Sequence, residues 1–402
     1  MAVRYISTAI HGVIDELYPI ISPEVQAKDL TLAAMVPSGR SWNCDDSVTG
    51  GNNSFTLATR CNMPAGTATK EWTTFVVRIA SAMTAGTKWR CIATNNIGAG
   101  ITSFLEIFRS AGGVYNFVLA DNGDAALATG ATGLATATNY TCKLTIDLSG
   151  ANRICTLYLW NGSAWVSEVT FTDVGVAGGF VAGFGQVRAK GVAGSGAAFY
   201  INNIYTTQNL GSYENTDPIS PVYLLGLKPV AVGTYDEWPG NAADVDDVPD
   251  NDGVTTTDEC GTGTAAERQT YAMLLQTANI PAGQEIACVA IYQTSALVAG
   301  SLGASDAIFK LGASDTFDSA GGQPTSVAYN YPILSVAEQS PAGGAWQVSD
   351  MGNTGANANV ELGHRRQAAA SDPRNVRLTM LAGYVAYRAA AAVKPFIQGY
   401  VL

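Results

Sequence analysis

Nine residues, Tyr140–Leu148, alternate strictly between two kinds of side chain. Tyr140, Cys142, Leu144, Ile146 and Leu148 are apolar or aromatic; Thr141, Lys143, Thr145 and Asp147 between them are polar. A period of two places one set on a buried face and the other on a wet face, so the segment is read as a half-buried β-strand. A turn follows at Ser149-Gly150-Ala151-Asn152, then a second strand at Arg153–Trp160. Asn161-Gly162, a strong hairpin signal, leads into a third strand at Trp165–Phe171. The pattern predicts an antiparallel meander with Leu144, Ile146 and Leu157 in the core. No catalytic motif accompanies it.

Composition extends this reading to the whole chain. Its 402 residues suffice for two or three domains. Only 14% of residues are charged, against about 25% in an ordinary globular protein. Together with 43 glycines and many short apolar runs, this favours an all-β architecture with tight turns. A formal net charge of −11 and the absence of any basic run argue against nucleic-acid binding. No apolar stretch reaches the roughly 18 residues of a membrane span, so no membrane insertion is expected. Met1–Ile6 lacks the pattern of a secretory signal. Seven scattered cysteines include no C-x-x-C, which leaves zinc and redox sites unsupported. Cys142, Cys155 and Cys288 occupy apolar strand faces and read as small buried thiols. Synthesis in a reducing host cytoplasm is expected.

The fold class read from these signals is two β-sandwich, jelly-roll-like domains with an N-terminal arm. Residues 1–40 form the arm, with Ala9–Tyr18 either a short amphipathic helix or part of a packed strand. Residues 41–208 form the first sandwich: Phe75, Val77 and Ile79, then Leu105 and Ile107, then Tyr115, Phe117 and Leu119 repeat the alternation. Residues 209–221 are a polar linker containing Pro218 and Pro221. Residues 222–402 form a second sandwich, with strands at Val222–Leu227, Tyr271–Leu275, Ile286–Tyr292, Ala307–Leu311 and Val376–Tyr387, followed by a tail.

Two stretches carry a family resemblance. Lys143-Leu144-Thr145-Ile146-Asp147, Thr156–Gly162 and the closing Phe199-Tyr200-Ile201-Asn202-Asn203-Ile204-Tyr205 resemble a laminin-G-like or concanavalin-like jelly roll. Val222–Leu227, Ala231–Trp238 and the acidic Asp247-Val248-Pro249-Asp250-Asn251-Asp252 follow in an order similar to a group of tailed-phage virion proteins. The resemblance covers residues 70–390, roughly. It implies a virion location, with copies of itself and other virion proteins as partners. It also implies calcium at loop carboxylates in some members, without a residue-by-residue match here.

Candidate chemistry is sparse. His11 and His364 are the only histidines and lie in different expected domains; no G-x-S-x-G, H-E-x-x-H or Walker motif is present. Gly261, Gly263 and Ala266 mimic a dinucleotide fingerprint outside any βαβ context. No cofactor is expected. Asp244, Asp246, Asp247, Asp250 and Asp252 offer oxygens for calcium, but their spacing is not that of an EF-hand, and a solvated acidic loop is the favoured reading. Glu106 with Asp121 or Glu168 would be the carboxylates of a glycoside hydrolase; a wet strand face is the commoner outcome, and the chain is read as a non-enzyme. Trp160 and Trp165, with Tyr158 nearby, flank one hairpin whose Asn161 and Ser163 would hydrogen-bond sugar hydroxyls. The same rings would otherwise fill the core or a subunit contact.

The expectation from sequence is therefore a structural component of a tailed-phage virion (fibre, appendage or decoration protein) that assembles as a homo-oligomer. The alternative is a glycan-binding module for adsorption to host-surface polysaccharide. The apolar tail, with Phe396, Ile397, Tyr400, Val401 and Leu402, is the expected assembly contact.

Overall fold

In the computed structural model the described residues are 3–7, 42–45, 54–58, 68–79, 85–86, 88–97, 101–120, 126–173, 186–191, 198–211, 213–245, 258–259, 265–275, 279–299, 305–318, 333–352, 357–367 and 375–390. Nearly all regular structure among them is β, as the alternation and low charge require. Only two short 3-10 turns interrupt it, Ala242–Asp244 and Val348–Met351.

The first unit contains β1 (Val3–Ser7), β2 (Trp42–Asp45), β3 (Ser54–Ala58), β4 (Lys70–Ile79), β5 (Lys88–Ile97), β6 (Ile101–Arg109) and β7 (Tyr115–Ala120). It continues through β8 (Ala126–Thr129), β9 (Asn139–Asp147), β10 (Arg153–Trp160), β11 (Trp165–Asp173), β12 (Gln186–Gly191) and β13 (Ala198–Gln208). One sheet runs β1-β13-β4-β9-β10-β11, with β2 also on β13; the other runs β3-β12-β5-β6-β7-β8. The expected meander is present: Leu157 lies opposite Leu144, and Cys155 opposite Ile146. Leu144, Ile146 and Leu157 are all buried, packed with Phe75, Val77, Leu105, Ile107 and Phe117 from both sheets. Part of the N-terminal arm is a strand, because β1 pairs with β13. Ala9–Tyr18, read as either a short amphipathic helix or part of a packed strand, lies outside the described residues, as does the C-terminal tail with Phe396, Ile397, Tyr400, Val401 and Leu402.

The second unit contains β14 (Val222–Asp236), β15 (Asp258–Glu259), β16 (Glu267–Leu275), β17 (Gln284–Ala299), β18 (Ser305–Leu311), β19 (Ser314–Asp318), β20 (Ile333–Ala337), β21 (Asn357–Arg366) and β22 (Asn375–Ala389). These form one antiparallel sheet, β19-β18-β21-β16-β14-β22-β17-β20, with β15 also on β22. The sheet curls on itself. His364 on β21 reaches Gln293 on β17, four places along the sheet, with Nδ1 3.0 Å from Oε1. Tyr271, Met273, Ile291, Phe309, Leu362 and Val385 fill the enclosed space. Gly363 is required within it: a Cβ there would lie 2.0 Å from the carbonyl oxygen of Gln269 on the adjacent strand.

The two units share apolar packing. Val222, Leu224, Ala287, Cys288, Ala290 and Tyr384 of the second belong to the same buried cluster as Ile204 and Tyr205 of the first. β4 is buried along almost its whole length, on both faces. Asn203, at φ +51° in a bulge of β13, accepts the Leu224 amide at 3.3 Å and ties the two sheets together.

Candidate aromatic ligand platform

The inward face of β10 is taken by Cys155 and Leu157, so Tyr158 and Trp160 fall on the outer face. On β11 an extra residue, Glu168, interrupts the pairing between Leu157–Val169 and Tyr158–Ser167. That bulge puts Trp165 directly opposite Trp160 at the end of the hairpin. Their ring centroids are 5.1 Å apart at an interplanar angle of 65°. Both indoles are partly exposed. The core-filling alternative for these rings is thus not what the fold adopts; they sit on the outside of the sandwich.

The turn itself is closed by Asn161. Its Oδ1 accepts the Ser163 amide and hydroxyl, both at 3.0 Å, and the Ala164 amide at 2.9 Å. Gly162 takes φ +99°, a value that favours glycine. The side-chain oxygen of Asn161 therefore serves the turn, and Asn161 and Ser163 are both exposed.

A cation lies beneath the rings. Lys143 faces Tyr158 across the strands, with its Nζ 4.9 Å from the Tyr158 ring centroid and 5.1 Å from that of Trp165. The Lys143 side chain is only 3% exposed and pairs with Asp217 at 2.5 Å, while Nζ also donates to the Pro218 carbonyl at 3.3 Å. Burial pulls the Lys143 pKa down, and Asp217 partly restores it. The strap 213–221 is thereby fastened across the outer face beside the platform. This cradle was absent from the sequence reading. The available signal was a lone lysine on the outer face of an otherwise threonine-bearing strand.

The remaining sequence candidates do not converge. Glu168 is spent on the loop opposite: it accepts the Thr132 amide at 2.8 Å and the Thr132 hydroxyl at 2.5 Å. Asp244 accepts the Asn241 amide at 2.7 Å and closes a capping box. Asp246, Asp247, Asp250, Asp252 and Asp121 lie outside the described residues. His364 is fully buried, and its pKa is lowered by burial from 6.5 to about 3. Its neutral ring donates from Nδ1 to Gln293 Oε1 and stands edge-on to Trp238 at 5.7 Å. Cys142, Cys155 and Cys288 are buried, as expected. No helix among the described residues is long and apolar enough to cross a membrane.

No protein-family model matches this chain, and no curated protein matches it. Among solved structures it is similar to a sialidase at 11% identity, over 42% of this chain and 15% of that one, with a TM-score of 0.27. It is similar to the alginate lyase AlgAT5 of polysaccharide lyase family 7 at 13% identity, over 42% and 78%, with a TM-score of 0.30. It is also similar to the carbohydrate-binding module CBM66 from Bacillus subtilis at 12% identity, over 40% and 83%, with a TM-score of 0.25. Likenesses this distant leave the function of the chain to its own side chains.

Proposed function

We propose that this protein is a non-enzymatic glycan-recognition module whose ligand stacks on Trp160 and Trp165. The observation that carries this reading is the directly opposed, partly exposed indole pair at an open hairpin end, braced from below by the Lys143–Asp217 pair. Aromatic faces suit the apolar face of a sugar ring, and the Asn161 amide and Ser163 hydroxyl supply polar contacts at its edge. A scaffold that holds rings without further motion loses little entropy on binding. The non-enzymatic part is supported by Glu168, weighed as one carboxylate of a hydrolytic pair, whose oxygens are both taken by Thr132. The order of motifs that resembles tailed-phage virion proteins is what supports a particle setting, where such a module would adsorb to host-surface polysaccharide.

The test is a glycan-binding assay on the full chain and on Trp160→Ala, with thermal melts alongside. The platform reading expects affinity to fall by about tenfold while the melting temperature moves by only a few degrees. No binding to any surface polysaccharide by the parent protein, with strong destabilisation in the variant, would overturn it.

A further inference from the structure

The interior of the second unit is not apolar throughout. His364 and Arg366 continue the inward row of β21 beyond Leu362, and both are fully buried. His364 stands directly opposite Gln269 on β16 and Ala307 on β18. Its Nδ1 is committed to Gln293 Oε1 at 3.0 Å. Its Nε2 is buried as well and has no hydrogen-bond partner in the protein.

Trp238 meets His364 here. Its backbone amide donates to Gln269 Oε1 at 3.0 Å, which seats Trp238 over the residue paired with His364. The two rings have centroids 5.7 Å apart and an interplanar angle of 74°. Trp238 is only 3% exposed, and its Nε1–H is also buried without a partner.

The two unpaired atoms are complementary. An indole Nε1–H can only donate. With the Nδ1 proton given to Gln293, Nε2 of the neutral His364 ring carries a lone pair and can only accept. Leaving both unmade in a dry interior is costly, and an apolar filler would relieve neither. On β18 the neighbour of His364 is Ala307, which offers only a methyl group beside the ring. The charged residues of the same row, Arg366 and Glu267 opposite it, pair with each other, Nη2 2.9 Å from Oε1.

We propose that Trp238 and His364 form an internal binding site for one ordered water, which accepts from Nε1–H and donates a proton to Nε2. The ligand needs both a lone pair and a proton. A cation would face the indole proton, and an anion would face the imidazole lone pair, so neither meets both demands. Two polar partners fall within the range that buried waters make. The site is independent of the hairpin platform, since it lies inside the curled sheet of the second unit.

The experiment pairs a crystal structure of the full chain, at a resolution that shows ordered solvent, with NMR of the isotope-labelled full chain. One solvent peak is expected within hydrogen-bond reach, about 2.7–3.2 Å, of both Nε1 and Nε2. In solution the Trp238 indole proton should show a cross-peak to water with the sign of a long-lived bound molecule. Trp238→Phe assigns that resonance by its loss, keeps an aromatic ring and removes only the donor. The His364 Nε2 resonance should then shift, because its water has lost a partner. Absence of the solvent peak or of the water cross-peak would overturn the proposal. So would a direct Nε1–H to Nε2 hydrogen bond. An indole proton shifted far upfield, the mark of an N–H over the imidazole face, would overturn it as well. If Trp238→Phe fails to fold, the parent's solvent peak and cross-peak decide alone.

Discussion

Glu214 holds Arg388 with both carboxylate oxygens across 174 positions of sequence, at 2.6 Å from Nη1 to Oε2 and 2.8 Å from Nη2 to Oε1. Glu214 sits in the strap at φ +51°, and Arg388 lies near the end of the last strand of the second unit. The same carboxylate accepts the Tyr205 hydroxyl of the first unit at 3.1 Å. One side chain thus joins strap, first sandwich and curled sheet. Both partners are mostly buried, with side-chain exposures of 11% and 18%. Glu214→Gln should therefore cost about 2–4 kcal/mol, toward the range for breaking a buried pair. Arg388 keeps its bond to Glu285, which moderates the loss. Urea unfolding of parent and variant measures it; a change within 0.5 kcal/mol, roughly the scatter of ordinary surface substitutions, would mean the contact is not structural.

The Lys143–Asp217 pair is asymmetric, with side-chain exposures of 3% and 51%. Removing the exposed partner leaves a buried, unpaired ammonium; removing the buried one leaves an aspartate that water can solvate. Asp217→Ala should cost about 2–4 kcal/mol, and Lys143→Met about 1 kcal/mol or less. Equilibrium unfolding of the two variants gives the order directly. Equal losses would indicate that the cation–π contacts to Tyr158 and Trp165, not the ion pair, hold the strap.

His364 makes stability depend on pH in a defined direction. Burial lowers its pKa from 6.5 to about 3 in the folded chain. Between those values the unfolded chain binds a proton that the folded chain refuses, so stability falls as pH drops through that window. His364→Gln removes this contribution. Urea midpoints measured from pH 7 to pH 4 should fall less steeply for the variant than for the parent. Parallel slopes would show that the ring titrates normally in the fold.

Local pattern carried much of this fold. The alternation at Tyr140–Leu148 correctly assigned the core face because period two is a property of the strand itself, whereas Lys143 on the expected wet face is buried beside Asp217. Asn161-Gly162 located the hairpin because the turn's demands are local: Asn161 accepts from Ser163 and Ala164, and Gly162 takes a positive φ. β21, Asn357–Arg366, was not legible as a strand. Its alternating set Val360, Leu362, His364 and Arg366 is half polar, yet His364 and Arg366 are fully buried. Their partners are distant in sequence: Gln293 for Nδ1 of His364, and Glu267 with the Ala265 carbonyl for Arg366.

By itself the sequence determined the all-β class, the buried faces of the central meander and the position of its hairpin. Each of these follows from the chain's own dihedral preferences and from which residues water excludes. Tertiary structure alone decided that Trp160 and Trp165 face outward above Lys143. It also decided that Glu214 reaches Arg388, and that Trp238 stands beside His364. Those pairings depend on strand order and sheet curvature, which join residues separated by tens to hundreds of positions and leave no periodic trace in either partner's neighbourhood.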